Sequence, residues 1–98
     1  MPMRKLRLAL VTTPPPGQGA LNEYAYHFVR FLRHKEEVAE VILLVDHLED
    51  GEQYRFEDHP HFAPVRVVPC WDFGRSDNAL RIRAAVRQAK PDGVLFNI

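Results

Sequence analysis

The stretch TTPPPGQGALN, residues 12–22, sets three prolines against two glycines one residue apart. Pro14, Pro15 and Pro16 restrict the backbone and lower the entropy lost when a long loop is ordered. Gly17 and Gly19 then remove side chains that would hold a ligand away from the main chain. A helix starting near Leu21 turns its free N–H groups, and the positive end of its dipole, toward the same place. That chemistry suits an anion such as phosphate, with a dipole contribution of about 0.3–1 kcal/mol and more where partly buried. Pro16, Gly17, Gln18, Gly19 and Asn22 are the candidate contacts.

The pattern GQGALN is G-x-G-x-x-N. A dinucleotide fingerprint would carry a third glycine where Asn22 stands, and its first glycine would follow the strand directly. Asp46 closes the next strand, yet it lies beyond the usual spacing of about 20 residues for a ribose-binding acid. No Gly-Lys-Ser/Thr is present, which excludes a P-loop. A purely structural loop is the competing reading.

Two further clusters carry reactive side chains. CWDF, residues 70–73, follows the third apolar run. There Trp71 offers a platform for a sugar face and Asp72 an acceptor for hydroxyls. The competing reading has Trp71 and Phe73 capping the core. Cys70 reads as a small packing residue, since no histidine is placed to activate it. DHPHF, residues 58–62, puts His59 and His61 beside a carboxylate, with Asp46 and His47 nearby in sequence. Pro60 separates the two histidines and no ligand spacing supports a metal site, so these read as surface histidines in a polar loop. His27 reads as a solvated residue on the polar side of a helix, not a base.

These groups need elements to hold them. Leu6–Thr12 is short, apolar and bounded by turn residues, as a strand buried on both faces is. Leu21–Lys35 predicts a helix whose apolar stripe is Leu21, Tyr24, Ala25, Phe28, Phe31 and Leu32, with Glu23, Tyr26, His27, Arg30 and Arg33 opposite. Val41–Asp46 is a second buried strand, completing a right-handed βαβ unit. Residues 47–64 read as loop. Val65–Pro69 is a third strand. Ser76 or Asp77 caps a helix from Asn78 to Lys90, with Ala79, Ile82, Val86 and Ala89 buried and Arg83, Arg87 and Lys90 outside. Pro91 stops it, and GVLFNI forms the fourth strand. The expected fold is α/β: a partial Rossmann-like three-layer unit with a mostly parallel sheet in the order 3-2-1-4. Its reversal point falls between the first and fourth strands, beside the proline–glycine loop and Asn97.

Bulk properties narrow the function. The chain has 98 residues, one cysteine, and thirteen basic against thirteen acidic residues. That balance lacks the electrostatic signature of a nucleic-acid binder. One thiol forms no internal disulfide and suits a reducing cytoplasm. No stretch resembles a signal peptide or a membrane span. Residues 46–58 are acidic and residues 75–90 basic. Two solvated surfaces are the plain explanation; a basic face toward an anionic partner or membrane headgroups is the sharper one.

The last residues, DGVLFNI, resemble a central parallel strand, which needs cover on both faces. The expectation is an amino-terminal portion of a longer protein, spanning 1–98, or else a sheet completed by a partner chain, with self-association of the isolated chain through its open edge.

A strand ending in proline, a glycine-containing loop and an amphipathic helix, LALVTTPPPGQGALNEYAYHFVRFLR, resembles the amino terminus of GT-B fold glycosyltransferases. RQAKPDGVLFNI is similar to the stretch that the retaining, nucleotide-sugar-dependent members carry at their fourth strand. The resemblance implies two Rossmann-like domains facing one cleft. The first holds the acceptor, and its glycine loop approaches the donor phosphates. The second, absent here, holds the nucleotide. It implies a nucleotide sugar as substrate in place of a bound cofactor, and no activity for this chain alone. Trp71, Asp72 and Asn97, by their place on the rim, are the candidate acceptor contacts, and no metal is expected because no ligand spacing supports one. The alternative is a non-catalytic nucleotide- or phosphate-binding or interaction module.

Overall fold

The computed structural model describes residues 5–13, 20–48, 54, 56 and 62–97. Its elements run β1 (Leu6–Thr12), α1 (Ala20–Arg33), β2 (Val38–Asp46), β3 (Val65–Trp71), α2 (Asn78–Ala89) and β4 (Gly93–Asn97). The four strands form one sheet in the order β3-β2-β1-β4, and every pairing is parallel. This is the Rossmann-like α/β arrangement expected from the alternation of apolar runs with amphipathic segments.

The layering follows from connection handedness. The step from β1 to β2 and the step from β3 to β4 move in opposite directions across the sheet. Right-handed crossovers therefore put α1 and α2 on opposite faces. Side-chain alternation along the central strands feeds two separate cores. Leu10, Val41, Leu43 and Val45 pack with Val29 and Leu32 of α1. Ala9, Val11, Ile42 and Leu44 pack with Trp71 and Ala89 on the α2 side. Tyr54, Phe56 and Ala63, from the connection before β3, join the first core.

Three expectations are corrected. In α1 the buried line is Ala25, Val29 and Leu32, while Tyr24 and Phe31 stand 59% and 56% exposed. The helix is rotated toward its smaller residues because Ala25 and Val29 let it sit close to the sheet. Arg33, assigned to the outer face, is buried. In α2, Ala79 is exposed and only Ala89 is fully buried, with Ile82, Ala85 and Val86 packed partly against the core. The Asp77 side chain makes no cap bond to α2; it is held by Arg75 through contacts of 2.9 and 3.0 Å.

The third strand runs past Pro69 to Trp71. Proline cannot donate to a ladder, but β3 is an edge strand, where this is tolerated. The register with β2 slips there: Val45 is opposite Pro69, and Asp46 opposite Trp71. The extra residue turns Trp71 onto the α2 face, beside Cys70. At the far end of the sheet, Lys90 closes α2 in the left-handed conformation, its N–H bonded to Val86 O. The Asp92 carboxylate then accepts from Arg7 N at 2.8 Å, which starts β4 beside β1. No helix among the described residues is long and apolar enough to cross a membrane.

Candidate functional site

The carboxyl ends of the strands form a polar rim. At the reversal point, Thr12 ends β1 and Asn97 ends β4, paired in register. The Thr12 hydroxyl donates to Asn97 O at 3.2 Å and accepts from Asn97 Nδ2 at 3.2 Å. Next to it, Asn22 in the first turn of α1 donates from Nδ2 to Thr13 O at 2.8 Å, with Thr13 Oγ1 at 3.2 Å. Thr12 and Thr13 are both buried. The two ends of the proline–glycine segment are thus tied together by an amide that reaches across it. Pro14, Pro15, Pro16, Gly17, Gln18 and Gly19 lie outside the described residues, as do His59 and His61.

The second part of the rim lies over β2 and β3. His47, one residue past β2, meets Asp72, one residue past β3. His47 Nδ1 is 3.1 Å from Asp72 Oδ1 and 3.2 Å from Trp71 O. Both neighbours are acceptors, so Nδ1 carries the proton. The contact of Arg81 Nη2 with the same nitrogen, at 3.5 Å, is the longer one and does not reverse this assignment. Nε2 is left as the basic nitrogen, on a side chain 46% exposed.

Asp72 is fixed from every side. Asn78 brackets its backbone: Oδ1 accepts from Asp72 N at 3.1 Å, and Nδ2 donates to Asp72 O at 2.5 Å. Arg81 Nη1 donates to Asp72 Oδ2 at 2.9 Å. The following turn places Gly74 at φ 81°, a conformation glycine adopts without strain, and returns Arg75 N to Asp72 O at 3.3 Å. The Arg81 hydrogen bond holds the Asp72 carboxyl below its ordinary value, helped by His47 and opposed by partial desolvation. Burial pushes the Cys70 thiol up, with Arg81 pulling the other way, so this thiol is a weak nucleophile. Asp46 accepts a hydrogen bond of 2.6 Å from Tyr54.

Trp71 is 3% exposed. Its indole N–H donates to Leu44 O at 3.0 Å, and its ring meets the exposed Phe73 edge-on at 4.8 Å. The ring packs in the core with Leu44 and Ala89 and offers no platform to a sugar; the ring turned to solvent is Phe73. The structure thus joins Trp71 and Asp72 in one cluster, and Asn22 and Asn97 in a second around Thr12 and Thr13. The clusters lie over neighbouring pairs of strands, β3/β2 and β1/β4, so their centres stand two strand spacings, roughly 10 Å, apart along the rim. Sequence reasoning assigned no role here to His47, Arg81 or Asn78. The usable signal was Asp-His at the tip of one predicted strand and Trp-Asp at the tip of its neighbour.

No protein-family model, curated protein or solved structure matches this chain. Among the described residues no group of three or more histidine, cysteine, aspartate or glutamate side chains could hold a metal ion. The rim instead offers hydroxyl and amide groups at the reversal point and an oriented imidazole beside it. Chemically, the imidazole can accept a proton or a hydrogen bond from a hydroxyl.

Proposed function

We propose that this chain is the acceptor-side part of a glycosyltransferase that moves a sugar from a nucleotide-sugar donor. The observation that carries this reading is the bracing of the loop ends: Asn22 bonds Thr13 and Asn97 bonds Thr12 at the reversal point of a parallel sheet. In open α/β sheets ligands bind past the strand ends at that point. The loop from Pro14 to Asn22 supplies main-chain N–H groups, from Gly17 onward, to the donor phosphates. Catalysis comes mainly from positioning and from stabilising the leaving diphosphate. On the acceptor side, Asp72 orients His47, and His47 Nε2 accepts a hydrogen bond from an acceptor hydroxyl. Trp71 O accepts from His47 and so ties the pair to the end of β3.

A second domain holds the nucleotide in this proposal. The test is nucleoside diphosphate release from a panel of UDP- and GDP-sugars, with sugar acceptors, by the protein joined to such a domain. Asn22→Ala lowers kcat/KM by about tenfold, near 1.4 kcal/mol of transition-state stabilisation. A two-domain protein that binds no nucleotide sugar and releases no diphosphate overturns the reading.

The exposed Leu80 of α2 and Phe96 of β4 favour a second reading, an interaction module completed by another chain. Under it, light scattering shows concentration-dependent association that Phe96→Glu abolishes, with no response to nucleotide sugars.

A further inference from the structure

The opposite end of the sheet carries a separate basic concavity. It is a hollow of about 330 Å³ walled by Lys5, Arg33, His34, Lys35, Glu36 and Phe62. Lys5 precedes β1, Arg33 ends α1, residues 34–36 lead toward β2, and Phe62 lies just before β3. All of these are at the amino ends of strands, away from the rim described above.

Arg33 is the unusual residue there. It is 6% exposed, yet no carboxylate among the described residues forms an ion pair with it. Its Nε donates to Ala63 O at 2.7 Å, and its guanidinium lies 5.2 Å from the centre of the Phe62 ring. That accounts for one of five N–H donors. A structural clamp on residues 62–64 needs only Nε, so the terminal fork is unexplained by that role. Among the described residues no sealed polar side-chain atom lacks a hydrogen bond, so the fork reaches a cavity wall. Besides the large hollow, Arg33 borders a cavity of about 20 Å³, room for a single water.

The surroundings favour an anion over water alone. Among the described residues that line it, Lys5, Arg33 and Lys35 are three permanent cations, with Lys35 Nζ 4.5 Å from the centre of the Phe31 ring, against the single carboxylate of Glu36. The carbonyls at the end of α1 would repel an anion if they were bare. They are occupied: Phe31 O by His34 N, Leu32 O by Lys35 N, and Arg33 O by Ala63 N, at 3.1–3.3 Å. With Nε engaged, the Nη1/Nη2 edge of the planar guanidinium remains, and it fits tetrahedral or planar oxyanions through paired hydrogen bonds.

We propose that this hollow binds a small oxyanion of the phosphate class, gripped by the Arg33 fork and neutralised by Lys5 and Lys35. The phosphate arrives either as a soluble monoanion or dianion or as a lipid headgroup.

The test is an NMR titration of the chain with potassium phosphate against potassium chloride at matched ionic strength. Saturable shifts at the Arg33 Nε–H and at His34 are expected with phosphate alone. Lys5→Gln and Lys35→Gln, both on exposed side chains, each weaken binding about fivefold, the worth of a unit charge at 4 Å in water. Arg33→Lys keeps the charge but loses the fork, and weakens it about tenfold or more. If that variant fails to fold, the two lysine variants remain decisive. Vesicles of phosphatidylglycerol that displace phosphate identify the headgroup as the source; vesicles that leave the shifts intact identify the soluble ion. Shifts that match those in chloride, or that survive both lysine substitutions undiminished, overturn the site.

Discussion

The β1–α1–β2 half and the β3–α2–β4 half are built from the same kinds of element, but they are sealed very differently. In the first, residues 8–12 of β1 and 41–45 of β2 are mostly out of reach of solvent, and Val29 and Leu32 of α1 close over them. In the second, β3 and β4 carry mostly half-exposed side chains and α2 buries only Ala89 fully. Leu80 and Phe96 are each 69% exposed. The difference comes from position. A central strand of a parallel sheet has a neighbour on each edge and a layer on each face, and an outer strand has neither guarantee. Stability is therefore concentrated in the first half. The second half is where substitution is tolerated and where surface is open for contact.

The sharpest way to break that contrast is to empty each half in turn. Leu43→Ala removes a completely buried side chain from the core that α1 closes and costs about 2–5 kcal/mol. Leu80→Ala changes stability by no more than about 0.5 kcal/mol. Urea unfolding monitored by circular dichroism measures both. Equal losses would mean that α2 is covered in solution and the contrast is wrong.

A smaller effect probes the seam between the halves. Trp71→Phe keeps most of the apolar volume but strips Leu44 O of the indole hydrogen bond, at a cost of roughly 1–3 kcal/mol. Trp71 O also accepts from His47, so a shift of the strand end around the smaller ring moves the His47 ring resonances in the same variant. Unmoved His47 signals would show that Asn78 and Arg81 alone fix the pair.

The smallest expected effect is electrostatic. Asp72 titrates below the ordinary carboxylate range because Arg81 donates to it. In the unfolded chain it takes up its proton first, near about 3.9. Its contribution to stability is therefore complete above that pH and is lost as pH falls through the lower native value. Arg81→Gln raises the native midpoint toward the ordinary value, as a carboxyl-carbon NMR titration reads directly. A midpoint that stays low would assign the effect to His47.

The rim and the two cores differ in how legible they were. Leu6–Thr12 was readable to the residue because a short apolar run between turn residues admits one buried solution. The 3-2-1-4 order followed from reading the strand–helix alternation as a doubly wound sheet. The face of α1 was readable in part. Ala25, Phe28 and Leu32 pack inward as expected, but Val29 was missed and Tyr24 and Phe31 stand outside, because close approach to a sheet selects for size. Nor did Pro69 end β3, because an edge strand can lose one donor and slip its register.

By itself, the order of residues determined the elements, their alternation and hence the parallel sheet with its polar strand tips, since periodicity and turn chemistry are local properties. Tertiary structure alone decided which tips meet. His47 and Asp72 are 25 residues apart in the chain and 3.1 Å apart in space, because β2 and β3 lie side by side and one slipped residue aims Asp72 at the imidazole. The burial of Arg33 was decided the same way, by the segment around Ala63 folding back across the end of α1. Contacts of this kind depend on the packing of distant segments, which no local pattern encodes.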